Sequence, residues 1–343
     1  MKKHLIAAGV VAAFAAPAMA QNVSVYGIVD VNYSYLDTDN KGGDSAMGDS
    51  ALSTSRLGFR GTEDLGGGLK AEFQLEGTLA ASTGTLGTTG TATTSGSTTT
   101  TTASNVFNRE AWVGVSGGFG HVRMGTTDVT NHQDIDTKVS MAGNLAFQSG
   151  EIGGDQKKTV RYISPVFSGF QIEAGYASPT STATADGEKS QGATGTGNVT
   201  ALYGSYEKGP LGVYVGYATL KVSQTYDQTQ KTIGAKYDFG PVRVGLMAMS
   251  SDAAAEADKA TKGFDNRVVS AALPLGNGVT AHAAYESSKS DVAQSADFTS
   301  WTAAVTKDLS KRTTVYGALI STDYELQASN DAMQYTVGIR HQF

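Results

Sequence analysis

The stretch Leu69-Lys70-Ala71-Glu72-Phe73-Gln74-Leu75-Glu76 alternates without a break. Leu69, Ala71, Phe73 and Leu75 take one side, and Lys70, Glu72, Gln74 and Glu76 the other. A period of two marks a strand with two unlike faces. One face here is apolar and the other charged, so one side meets oil and the other meets water. The pattern repeats along the chain. Residues 23–35 set Val23, Val25, Gly27, Val29, Val31, Tyr33 and Tyr35 against Ser24, Tyr26, Asp30, Asn32 and Ser34, with Ile28 as the exception. Phe170, Ile172, Ala174 and Tyr176 oppose Gln171 and Glu173, and Val242, Val244, Leu246 and Ala248 oppose Arg243. Thr314, Tyr316, Ala318, Ile320 and Tyr324 form another such face, with aromatic residues near both ends. No segment shows a sustained helical period.

The connections alternate in length. Tight turns fall at residues 64–68, 117–120, 165–169, 208–210, 240–241, 274–278 and 309–312, and in all but the last Gly supplies positive φ or Pro presets φ. Long polar segments separate them, at roughly 37–51, 81–105, 127–157, 180–197, 223–230, 251–264, 288–296 and 325–332. The Thr/Ser/Gly-rich segment 81–105 is low in complexity and reads as a mobile loop. Short turns alternating with long loops predict about sixteen strands, in a transmembrane antiparallel up-and-down β-barrel with short periplasmic turns and long outer loops.

Composition agrees. The 343 residues include 42 Gly and no Cys, which excludes disulfide scaffolds, Cys-based metal sites and thiol catalysis. With 26 basic and 32 acidic residues the net charge is −6, so no nucleic-acid partner is expected. Lys2 and Lys3, the apolar run Leu5 to Phe14 and Ala18-Met19-Ala20 form the three regions of a cleaved signal peptide over residues 1–20. Its removal takes two Lys and no acid from the net −6, which makes −8 for residues 21–343. A soluble sandwich would bury two large-residue faces against each other. The second face here is instead rich in Gly, Ala and charge, which fits a wide wet interior. In hydrocarbon every backbone polar group needs a partner, so the sheet must close on itself. The last strand alternates Tyr335, Val337, Ile339, His341 and Phe343, and its rings suit an interfacial girdle.

At several of these residues the chain resembles the general bacterial porin family of Gram-negative outer membranes, in its β-proteobacterial branch. Ser24-Val25-Tyr26-Gly27-Ile28-Val29-Asp30 is similar to that family's first strand. The block Ser55-Arg56-Leu57-Gly58-Phe59-Arg60-Gly61-Thr62-Glu63-Asp64-Leu65-Gly66-Gly67-Gly68-Leu69-Lys70-Ala71 matches more specifically. Asn108-Arg109-Glu110-Ala111-Trp112-Val113-Gly114-Val115 is similar to the family's Arg-Gln-Ala-Tyr-Val-Gly-Leu pattern, with substitutions. Arg161-Tyr162 before Ser164-Pro165, and Gly338-Ile339-Arg340-His341-Gln342-Phe343, complete the likeness. The resemblance implies a sixteen-stranded homotrimer contacting outer-membrane lipid and lipopolysaccharide. It also implies passive diffusion of ions and small hydrophilic solutes, and a barrel-assembly machinery that reads the terminal strand through Tyr335, Ile339 and Phe343.

The resemblance further implies that loop 127–157 folds inward as a constriction, carrying Asp128, Asp134, Asp136, Glu151 and Asp155. Arg56, Arg60, Arg109 and Arg161 would face it from the wall. Alternation independently sets Arg56 and Arg60 on the face of Gly58, and Arg161 away from Val160 and Tyr162. Arg109 rests on the resemblance alone. Opposed charges in a wide pore bias ion passage weakly. The mature −8 carries no sign of ion preference, because charge on outer loops is screened within about 8 Å at physiological salt. Of His121, His132, His282 and His341, none stands in a catalytic or metal-ligating spacing, and the Gly runs open no helix. No enzymatic activity, cofactor or metal is expected. A substrate-specific channel is the alternative reading, then a secreted β-rich adhesin.

Overall fold

The computed structural model describes residues 23–39, 42–92, 101–128, 132–146, 155–178, 182–183, 189–190, 198–221, 227–252, 263–290, 297–325 and 331–343. The expected leader, residues 1–20, lies outside them. Sixteen strands make the wall. They are β1 (Ser24–Thr38), β2 (Arg56–Gly66), β3 (Leu69–Ala80), β4 (Glu110–Gly117), β5 (Gly120–Asp128), β6 (Asp155–Ile163), β7 (Phe170–Ala177) and β8 (Val199–Lys208), followed by β9 (Leu211–Lys221), β10 (Asp227–Asp238), β11 (Arg243–Ser251), β12 (Phe264–Gly276), β13 (Val279–Ser290), β14 (Phe298–Asp308), β15 (Thr313–Tyr324) and β16 (Ala332–Gln342). Each pairs antiparallel with the next, and β16 returns to β1 from Ile28↔Gln342 to Thr38↔Ala332. Closure leaves the wall without an edge, as a sheet in lipid requires.

The alternation read from the sequence sorts the two faces. Outward residues such as Val113, Ile172, Ile233 and Val337 stay exposed, each above 50 %. Outward rings gather at both rims: Phe167, Phe170, Tyr237 and Phe239 by the short turns, and Tyr33, Tyr35, Trp301 and Tyr335 toward the other end. The terminal residue completes the seam, since Gly27 and Phe343 exchange backbone hydrogen bonds at 3.2 and 3.1 Å.

Four features depart from the sequence reading. Segment 37–51 is mostly strand: Gly42–Asp49 pairs with the upper half of β1, while β2 pairs with its lower half. One strand position is thus interrupted over residues 50–55, where Ser50 takes a φ of 69°. Second, Thr88–Ala92 and Thr101–Asn105 pair as an antiparallel ribbon inside the segment read as a loop. Threonine is β-branched and favours extended backbone even where nothing can be buried. Third, a helix, α1 (His132–Val139), occurs within loop 127–157. Its eight residues are too few to display a helical period. Fourth, Tyr316, Ala318 and Ile320 turn into the barrel, at 5, 8 and 6 % exposure. Their outward neighbours include Val315 and Leu319, so this strand is apolar on both faces. The inward one meets part of the chain that enters the lumen.

Candidate functional site

Apolar contacts hold segment 132–146 against the inner wall. Ile135 and Val139, one helical turn apart, are buried with Tyr203, Tyr214, Met247 and Val268. The wall is glycine where the helix lies closest. A Cβ on Gly245 would stand 1.8 Å from the Val139 carbonyl oxygen, and one on Gly234 would stand 2.6 Å from Ile135. Beyond the helix, Ala142, Leu145 and Ala146 pack on Leu52, Ala284, Ala304, Tyr316, Ala318 and Ile320.

Hydrogen bonds fix the register. The Ser270 hydroxyl donates to Val139 O at 2.7 Å and accepts from Met141 N at 3.1 Å. The Thr302 hydroxyl donates to Leu145 O at 2.7 Å. His282 donates from Nδ1 to the Met141 carbonyl, and its Nε2 lies 3.0 Å from Thr306 Oγ1. His282 therefore lines the lumen and also fastens the loop. The interruption before β2 is the second anchor. Asp30, fully buried, accepts from Leu52 N at 2.8 Å, Ser53 N at 2.6 Å and the Tyr316 hydroxyl at 2.5 Å. The Leu52 carbonyl then accepts from Asn144 N at 3.2 Å, and Asn144 Nδ2 donates to Ser50 O at 3.1 Å.

Between this loop and the opposite wall lies a cavity of about 630 Å³. Arg56, Arg109 and Arg161 line it together with Asp128 and Asp136. The arginines bond first to wall carboxylates. Arg109 Nε donates to Glu76 Oε1 at 2.7 Å, Arg56 Nη1 lies 3.8 Å from the same oxygen, and the Tyr26 hydroxyl donates to Oε2 at 2.8 Å. Arg161 donates to Glu173 from Nε at 2.9 Å and also from Nη2, while its Nη1 donates to the Asp128 carbonyl at 2.7 Å. Arg123 Nη2 stands 4.0 Å from Glu110 Oε1. On the loop side, Lys138 and Lys236 donate to Glu207 at 3.1 and 3.3 Å. Asp136 is half-buried and its Oδ1 has no hydrogen-bond partner. Burial, with the nearby Glu286 carboxylate second, pushes its carboxyl up to about 7.

Other expected residues fall elsewhere. Arg60 lines a second cavity, nearer the short turns. Asp155 opens β6 opposite Asp128. Its side chain and that of Asp134, like Glu151 as a whole, lie outside the described residues. Glu76, Glu110, Arg123 and Glu173 were not singled out from the sequence. Their signal was available: all four sit on inward positions, and counting from the short turns places Glu76 beside Arg56 and Glu173 beside Arg161.

Comparison with known proteins follows the same lines. The family model described as Gram-negative porin matches residues 7–327. Outer membrane porin protein 32 of Delftia acidovorans is 35% identical over 266 residues, 72% of this chain and 69% of that protein. An outer membrane porin protein of Bordetella pertussis is 29% identical over 277 residues, 72% and 68% of the two chains. Among solved structures, an anion-selective porin from Comamonas acidovorans superposes with a TM-score of 0.75 at 27% identity, over 94% of this chain and all of that one. OmpF of Salmonella typhi, solved with daunomycin, gives 0.66 at 17% identity over 94% and 98%, a likeness of fold.

Proposed function

Because this chain belongs to the Gram-negative porin family, outer-membrane channels for passive diffusion, we propose that the cavity beside α1 is its constriction and gives it a weak anion preference. The carrying observation is the sharing of one carboxylate by two guanidiniums. Glu76 is 6% exposed at its side chain, whereas Arg56 and Arg109 are 29% and 15% exposed. The acid lies behind and the cations face the solute, so the wall presents positive charge although six acids and five bases line the cavity. The preference is weak because the lumen is wet and most charges have partners. The name of the Comamonas relative, an anion-selective porin, supports the same sign.

Residues 1–20 act as an export signal, and segment 127–157 as the inward loop. Tyr335, Ile339 and Phe343, outward and 44–49% exposed, serve as the assembly signal. A homotrimer contacting lipopolysaccharide completes the proposal, in line with the resemblance. The selectivity is tested by the zero-current potential of the purified porin in planar bilayers under a potassium chloride gradient. Arg56→Gln with Arg109→Gln should move that potential toward the cation side. An unmoved potential removes these residues from the selectivity role.

A further inference from the structure

The interrupted strand position holds more chain than the wall can take. Val31 pairs with Asp49 of the outer strand, and Ile28 pairs with Arg56 of β2. Between those pairs β1 supplies two residues, Val29 and Asp30, where the facing chain supplies six, residues 50–55. Unpaired residues of this kind must leave the plane of the sheet. They turn inward: Leu52 is 7% exposed and packs with Ala142, Leu145 and Ala146 of the inner loop. Gly143, at a φ of 61°, lies so close that a Cβ there would stand 2.4 Å from the Leu52 carbonyl oxygen. Leu52, Ser53 and Thr54 line the cavity of about 630 Å³ together with Gly143 and Asn144.

One side chain behind them fixes this excursion. Asp30 is fully buried, and its carboxylate accepts from Leu52 N, Ser53 N and the Tyr316 hydroxyl. Its main chain is used as well. Asp30 N donates to Ser55 Oγ at 2.9 Å, and Asp30 O accepts from Ser50 N at 2.9 Å. Tyr316 stands two strands away, on β15, and reaches Asp30 across Gly338 of β16. A Cβ on that glycine would lie 2.3 Å from the Tyr316 hydroxyl. Arg340, opposite Asp30 in register, donates to Ser53 Oγ at 3.1 Å and brings the opposite charge that a buried carboxylate needs.

We propose that Asp30 is a positioning residue of the pore. It holds Leu52 inside the lumen as a shelf for loop 132–146, and so sets the width of the constriction without meeting the solute. The inference rests on the cavity beside α1 being that constriction.

Liposome swelling with neutral sugars reads the width, because an uncharged solute is indifferent to the wall arginines. In Asp30→Ala the shelf is free to retreat, so entry of a trisaccharide relative to a pentose should rise severalfold. Amide exchange at Asn144, whose N–H donates to Leu52 O, should quicken about tenfold, the weight of one lost bond to a charged group. Asp30→Asn should recover most of both values. Its oxygen still accepts from the two amides, and its amide group can donate to the Tyr316 hydroxyl. Tyr316→Phe keeps the ring and loses only the hydroxyl. It should move both readouts part of the way, and it carries the test should Asp30→Ala fail to fold. Equal effects of Asp30→Ala and Asp30→Asn overturn the proposal, since charge and not position would then be acting. Unchanged exchange at Asn144 in both Asp30→Ala and Tyr316→Phe overturns it too. Quickened exchange with an unchanged sugar ratio refutes instead the reading of the cavity as the constriction, and with it the claim on width.

Discussion

Replacing Asp136 by Asn should abolish a pH dependence in the docking of the inner loop. The Asp136 carboxyl is pushed from an ordinary value of 3.8 up to about 7. The docked helix therefore holds a proton that the undocked one releases between about pH 4 and pH 7. The state binding more protons loses ground as pH rises, so docking weakens across that interval and is flat above it. At about 1.4 kcal/mol per pH unit the shift sets a ceiling of about 4 kcal/mol. Asp136 is only half-buried and its neighbours Thr137 and Lys138 are exposed to the wet lumen. Screening by that water cuts the expected effect to about 2 kcal/mol, or about thirtyfold in the opening equilibrium.

Amide hydrogen exchange reads this directly. Ser140 N donates to Asp136 O and Asn144 N to Leu52 O, so both amides are protected only while the loop is seated. Corrected for intrinsic rates, their protection should fall about thirtyfold from pH 3 to pH 8 in the parent. It should stay flat in Asp136→Asn, whose amide cannot ionise against Glu286. Equal pH dependence in both proteins, or none in the parent, refutes the reasoning.

Three further outcomes follow from the same contacts. Glu76→Gln removes the one carboxylate shared by Arg56 and Arg109, so the zero-current potential should shift further toward anions; a shift toward cations contradicts the proposed wall. Gly245→Ala sets a methyl 1.8 Å from the Val139 carbonyl, so α1 must move off the wall and single-channel conductance should change while the barrel's strand content stays the same. Leu52→Ala empties the contact with Leu145 and Ala146 and should weaken loop seating by about 2–5 kcal/mol. Faster proteolysis within segment 132–146 is its measure.

Much of the barrel was legible because its solvent changes at every residue. Leu69–Glu76 must alternate if lipid lies on one side and water on the other, and the structure keeps that alternation. Arg56 and Arg161 were placed inward by parity alone. The rule failed at Tyr316, Ala318 and Ile320 for a physical reason. An inward face is polar only where it meets water, and these three residues meet Leu52, Leu145 and Ala146 instead. A strand apolar on both faces inside a barrel thus points to a covering element, which the pattern of one strand cannot reveal.

The charges at the constriction were harder to read, since their partners are chosen by cross-strand register. The resemblance set the wall arginines against acids of the inner loop. The structure gives Arg161 to Glu173 and Arg109 to Glu76, acids of strands already read as amphipathic. A short turn fixes which residues of two strands stand opposite each other. A long loop leaves its own acids unplaced until something anchors it, and here the anchors are apolar. Ile135, Val139 and Leu145 seat the loop, and the acids follow. Asp136 illustrates the consequence: its helical neighbours carry it to the Glu286 side, and burial first, with that like charge second, raises its carboxyl. Under the proposed constriction, hydrophobic packing counts as much as the arginines, because the packing decides which charges the solute meets.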